Sequence, residues 1–206
     1  MPDEREGRSG PVAGILLAAG TSSRMGGNKM LFDFGGESVL RGAAKRAIDA
    51  GLQPLVVVLG HQRERAEQEL AGLPCQVAFN PDYEEGITSS LRTGLAAISE
   101  RPDVHAAVVM LADMPFVTSE MIAALIARYR GSAAPLVVSD YEGVHAPPML
   151  YDEALFEELS AMTETGCGKQ VVKRHRHEAE VLPWPASALR DLDVPEDYAR
   201  LQEEAS

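Results

Sequence analysis

Two fixed cations, Arg24 and Lys29, follow within ten positions of Gly20 in the run LLAAGTSSRMGGNK (16–29). Arginine offers a planar fork that matches phosphate oxygens, whereas lysine is a compact charge on a flexible stem. Glycines at 20, 26 and 27 let the chain turn sharply and bring backbone N–H groups close to a ligand. Such a loop suits a triphosphate, although the same residues would also make a merely tight strand-to-helix turn. A carboxylate matches these cations further along, where VVMLADMP (108–115) runs an apolar segment into Asp113 and closes it with Pro115. At the carboxyl end of a strand Asp113 would be placed to hold Mg²⁺, a hard cation that takes oxygen ligands and bridges substrate phosphates. It would equally serve as a cap for the turn into a helix at 119–129.

Three further stretches carry polar chemistry. In NPDYEEGITSSLRTGL (80–95), Gly86, Thr88, Ser89 and Ser90 would present hydroxyls and N–H groups at a helix start, with Arg92 close behind. An ordinary capped helix uses the same residues for its own backbone. In DLDVPEDYARL (191–201), Pro195 followed by Glu196 and Asp197 is a good helix start, which leaves Asp193 as a cap or as a ligand. Lys169, Lys173, Arg174, His175, Arg176 and His177 form the dense basic run of the chain. It reads as a solvated helix end whose cations suit the dipole, or as a holder of an anionic acceptor through Lys169. His175 and His177 alone are too weak a spacing signal for a metal site.

The elements that must position these groups follow from apolar periodicity. Strands are expected at 12–19, 54–60, 75–79, 106–112, 135–139, 147–151 and 178–183. Continuous apolar character in the first, second and fourth argues for strands covered on both faces. Helices are expected at 38–50, 62–71, 89–99, 119–129, 152–162, 168–175 and 195–202, with Ser119 capping the fourth. Alternation of the two predicts an α/β fold: a doubly wound, mostly parallel sheet with helices on both faces and right-handed crossovers. Ligands of such sheets bind beyond the carboxyl ends of the strands, which are Gly20–Lys29, Gly60–His61, Asn80–Pro81 and Asp113–Met114.

Composition bounds the rest. With 206 residues, 45% hydrophobic and 24% charged, the chain reads as one globular domain over 11–206 behind a disordered lead-in over 1–10. A net charge of −12 disfavours nucleic acid or an anionic membrane as a general partner, so any anion must be held by a local patch. Cys75 and Cys167 make no disulfide framework, and no signal peptide or long apolar run is evident, which points to the cytoplasm. Cys75, in LPCQVAF, reads as core filler, and Cys167, between glycines, as an exposed thiol with no base beside it.

Counting excludes two familiar phosphate loops. A dinucleotide fingerprint would need glycine at positions 22 and 25, which are Ser and Met. A Walker loop would need glycine at 25 and a Lys-Ser/Thr pair after it, yet Lys29 precedes Met30. LAAGTSSRMGGNK instead resembles the LAAGxSxRMGxxK signature of the MobA-like nucleotidyltransferases. Ala19, where the guanylyl-transferring branch usually carries glycine, resembles the cytidylyl-transferring branch that acts on molybdenum cofactor. LADMP (111–115) resembles that family's GDMP motif, with Leu111–Ala112 before the aspartate. NPDYEEGITSSLRTGL resembles NPxxxxGxxSSLRxGL, and DLDVPEDY resembles DIDTPEDY. Departures come at 142–175, where His145–Ala146–Pro147–Pro148 replaces a GxP element and TGCGKQ replaces a GARxLL-type run.

The resemblance covers residues 12–201 and implies a Rossmann-like nucleotidyltransferase fold that transfers CMP from CTP to the phosphate of a molybdopterin, releasing pyrophosphate. It implies catalytic roles for Arg24, Lys29 and Asp113. It places the nucleotide against Leu17, Ala18, Ala19, Gly20, Arg24, Lys29, Asn80, Ser89, Ser90 and Arg92. It places Mg²⁺ on Asp113 and Asp193, the acceptor near His145, Pro148 and Lys169, and a client molybdoenzyme downstream. An acceptor phosphate ionised at neutral pH is its own nucleophile, so no activated Ser or Cys is required. The alternatives are a guanylyltransferase, a sugar-phosphate nucleotidyltransferase, or a non-catalytic carrier of the pterin cofactor. The missing dinucleotide fingerprint weighs against a Rossmann oxidoreductase.

Overall fold

The computed structural model describes residues 7–20, 28–162 and 168–190. Strands β1 (Val12–Ala18), β2 (Leu55–Leu59), β3 (Gln76–Phe79) and β4 (Ala106–Leu111) form a parallel block in the order β3-β2-β1-β4. The block joins a mixed half made of β5 (Leu136–Tyr141), β6 (Val144–His145), β7 (Met149–Asp152) and β8 (Ala179–Trp184). There β7 runs antiparallel to both β4 and β5, while β8 runs parallel to β5. The sheet is thus mostly parallel, as expected, but the simple alternation of strand and helix breaks after β5.

The break has a local cause. Glu142 and Gly143 both adopt positive φ, the requirement of a tight two-residue hairpin, and Gly143 N–H is held by Asp140 Oδ2 at 3.2 Å. The chain therefore folds straight back through β6, a strand the sequence did not announce. Four residues (146–149) on the return then face two (138–139) on β5, so the ladder is interrupted before β7 resumes it.

Helices α1 (Val39–Asp49), α2 (Arg63–Glu69) and α4 (Ser119–Gly131) cover one face, and α3 (Ile87–Ser99), α5 (Phe156–Ser160) and α6 (Lys169–Arg174) the other. Alternate side chains of β1 serve the two layers: Leu16 and Ala18 pack with α1, while Ile15 and Leu17 pack with α3. Both sets are buried, which is why the strand reads as an unbroken apolar run. Each fully buried Leu of this kind contributes roughly 2 kcal/mol. Gly94 lets α3 lie close on the sheet, because a Cβ there would run into Ile15 Cγ2. The helix at 152–162 is shorter than expected: a 3₁₀ turn at Glu153–Leu155 leads into α5.

Other expectations need correction. Thr118, rather than Ser119, caps α4, its hydroxyl accepting from Met121 N–H at 3.3 Å. Of the lead-in expected over 1–10, residues 1–6 lie outside the described residues; in the remainder Arg8 donates to the carbonyls of Tyr129, Ser132, Ala133 and Ala134 at the end of α4, and lies 4.5 Å from the Tyr129 ring. A cation at a helix carboxyl end is favoured by the exposed carbonyls and the dipole. Cys75 is half-buried at the core's edge, and burial pushes its thiol up, away from a reactive thiolate. Cys167 and the expected helix at 195–202 lie outside the described residues. Among the described residues no helix is long and apolar enough to cross a membrane.

Candidate active site

The carboxyl ends of β1 and β4 open into a cleft of about 180 Å³. Leu17–Gly20 line it, held by Ala112 N–H donating to Leu17 C=O at 3.1 Å and His61 N–H donating to Ala19 C=O at 3.5 Å. Lys29 and Asp113 stand at the β4 side, and Tyr83, Gly86, Ile87 and Ser90 on the α3 side. This is the edge where a doubly wound sheet binds ligands.

The charged feature is an ion pair. Lys29 Nζ lies 2.7 Å from Asp113 Oδ2, with side chains only 12% and 23% exposed. Lys29 opens a 3₁₀ turn (Lys29–Leu31) whose start is fixed by Asn28, 5% exposed, its Oδ1 accepting from Met30 N–H at 3.1 Å. Asn28 Nδ2 also donates to His61 C=O at 3.4 Å, tying the turn to the end of β2. With Thr118 capping α4, Asp113 is not that cap. Its carboxylate faces Lys29 and the cleft.

The third wall begins at Gly86, whose φ of 104° only glycine adopts readily, and which starts α3 without a capping side chain. Buried Asn80 braces this corner: Nδ2 donates to Ser89 Oγ at 2.9 Å and to Ser90 Oγ at 3.0 Å, while Oδ1 accepts from Asp82 N–H at 3.0 Å. Ser89 in turn bonds the carbonyls of Asp82 and Gly86, each at 2.8 Å. Asn80 and Ser89 therefore hold the corner from behind, and Ser90 is the one of the three that lines the cleft.

Among the sequence-predicted residues, Leu17, Ala18, Ala19, Gly20, Lys29, Ser90 and Asp113 meet in one cleft. Arg92 does not line it: its exposed side chain lies 3.8 Å from Glu85. His145 is exposed and 3.4 Å from Asp140, Pro148 is buried with its carbonyl accepting from Ser139 Oγ at 2.6 Å, and Lys169 is exposed at the start of α6. None of these three lines the cleft. Arg24 and Asp193 lie outside the described residues. Sequence reasoning missed Asn28, Met30, Tyr83, Ile87 and Leu111. All of these but Met30 were within quoted motifs, but none of the residue types announces a role.

A lysine–carboxylate pair thus stands beside an open helix start at the carboxyl edge of parallel strands, the edge where sheets of this class bind ligands. The chain belongs to the MobA-like NTP transferase family, whose domain matches residues 14–179. It is 28% identical to the purine catabolism protein PucB of Bacillus subtilis over 207 aligned residues, covering 93% of this chain and 96% of that protein. It is 25% identical to the nicotine blue oxidoreductase of Paenarthrobacter nicotinovorans, covering 92% and 96%. The solved structure of Rv0371c from Mycobacterium tuberculosis superposes with a TM-score of 0.83 at 28% identity, over 94% of this chain and 98% of that one. A complex of Rv0371c with manganese gives 0.77 at 26% identity over the same shares.

Proposed function

We propose that the protein transfers CMP from CTP to the phosphate of a molybdopterin acceptor, releasing pyrophosphate. The Lys29–Asp113 pair in the cleft carries the reading, because it sets a phosphate-seeking cation beside a metal-seeking carboxylate. Ala19 supports CTP, and the family resemblance supports the acceptor.

In the transfer, an oxygen of the acceptor phosphate bonds to the α-phosphorus as the bond to the β-phosphate oxygen breaks. Pyrophosphate leaves with that electron pair. Lys29 shifts from Asp113 to the phosphates and meets the charge that builds on the leaving group. The backbone past the end of β1 at Ala19–Gly20 and the hydroxyl of Ser90 orient the nucleotide, and the brace of Asn80 keeps Ser90 in place.

Asp113 fits a divalent cation that arrives with its nucleotide. No group of three or more His, Cys, Asp or Glu forms a closed cage among the described residues. Mg²⁺ commonly takes one or two carboxylates and completes its shell with water and phosphate. When bound, such an ion would neutralise phosphate charge. Arg24 and Asp193 are retained as further phosphate and metal contacts in this proposal.

Pyrophosphate release from CTP, GTP and ATP, with and without molybdenum-loaded pterin, tests the reading. Release that needs both CTP and pterin supports it, and a preference for GTP overturns the cytidylyl assignment. Absence of any CTP·Mg²⁺ binding by calorimetry would favour a cofactor carrier instead. A second reading follows from the likeness to nicotine blue oxidoreductase, an oxidoreductase on this fold, although the missing dinucleotide fingerprint weighs against it. Oxidation of NADH or NADPH, followed at the nicotinamide absorbance, decides that reading.

A further inference from the structure

The cleft has a direction. Strands β2, β1 and β4 are consecutive neighbours, so the span across their carboxyl ends is roughly 10 Å. Lys29 and Asp113 mark the β4 end. At the β2 end Tyr83 covers Gly60, so closely that a Cβ on Gly60 would lie 2.6 Å from both Cβ and Cγ of the tyrosine. Tyr83 is held there by Gly86 N–H donating to its carbonyl at 3.2 Å, and its ring tilts at 51° against His61 with centroids 6.3 Å apart. Between the two ends the side chains are mainly carbon: Leu17, Ala19, Ile87 and Leu111. The site is therefore charged at one end and aromatic at the other, a polarity that matches a nucleotide.

We infer that Tyr83 is the aromatic wall of a nucleobase subsite, with the ribose over Leu17–Gly20 and the phosphates reaching Lys29 and Asp113. The inference rests on the nucleotide reading of the cleft. An aromatic face stacks on any base, so Tyr83 supplies affinity rather than base selection. A pterin ring is also planar and aromatic. The base is preferred because Tyr83 and the phosphate-seeking pair share one cleft about as long as the reach from base to phosphates.

Calorimetry on the full chain separates these terms, using CTP·Mg²⁺, inorganic triphosphate·Mg²⁺ and a pterin monophosphate. Tyr83→Leu keeps Gly60 covered but removes the π face, and Tyr83→Phe keeps the face. The expected result is that Tyr83→Leu weakens CTP by about tenfold and leaves inorganic triphosphate unchanged, while Tyr83→Phe stays within about threefold of wild type. The inference is overturned if Tyr83→Leu weakens both ligands equally or neither, or if it weakens the pterin and spares CTP. Wild-type protein that binds inorganic triphosphate but no nucleotide would overturn the functional reading and this subsite with it. A loss confined to CTP in the variant sustains both.

Discussion

The parallel block β1–β4 and the mixed half β5–β8 are built from the same apolar strand material but treat polar groups differently. In the parallel block the carboxyl ends of the strands converge, and Lys29, Asp113, Ser90 and the Leu17–Gly20 backbone share one cleft. In the mixed half the polar groups are consumed locally. Buried Ser139 donates to Pro148 C=O and accepts from Trp184 Nε1–H at 3.0 Å, and His145 faces Asp140. Parallel strands leave every carboxyl end on one edge, so loops after them can cooperate. An antiparallel return sends its loops to opposite edges and uses their polar groups to hold itself together.

Substitutions in the two halves should separate activity from stability. The largest expected effect is on turnover: Lys29→Ala and Asp113→Asn each lose about 3 kcal/mol of transition-state stabilisation, roughly a hundredfold in rate, with circular dichroism showing a folded chain. Next comes Gly94→Ala, where the new methyl meets Ile15 and costs about 2 kcal/mol, seen as a fall of about 6 °C in melting temperature. A matched pair sharpens the comparison further. Asn80→Ala and Ser139→Ala each strand a buried partner at a cost of about 1–2 kcal/mol, but only Asn80→Ala should also weaken CTP in calorimetry. Equal effects on CTP would erase the distinction between the halves.

The smallest effect concerns acid. Glu158 accepts from His175 at 2.8 Å and pairs with Arg174, and those contacts hold its carboxyl below the ordinary carboxylate range. A depressed carboxyl stabilises the fold fully above its unfolded pKa and loses that contribution as pH falls through the folded value. Glu158→Gln should therefore flatten the acid side of the stability profile by under ~1 kcal/mol, as urea midpoints across pH would show.

In the parallel block β1, β2 and β4 were legible because burial on both faces writes each as a continuous apolar run, and they fall within two residues of their expected ends. The hairpin was not: β6 has two residues, too few to show a period, and Glu142–Gly143 lacks the Asn-Gly or Asp-Gly signal of its turn. In the site, motif spacing brought Lys29 and Asp113 together on paper as they are in space. It failed for Arg92, which follows Ser90 by two positions, about 200° around the helix, and so faces Glu85 rather than the cleft. Tyr83 escaped notice because an aromatic in a loop has no periodicity; only the fold reveals that it rests on Gly60.

Nucleotidyl transfer at the Lys29–Asp113 cleft is tested most directly by pyrophosphate release from CTP in the presence of molybdenum-loaded pterin, measured for wild type and for Asp113→Asn. Release by the wild type that needs the pterin and falls roughly a hundredfold in the variant is the predicted result. No release from any nucleotide, or equal release by the variant, would contradict it.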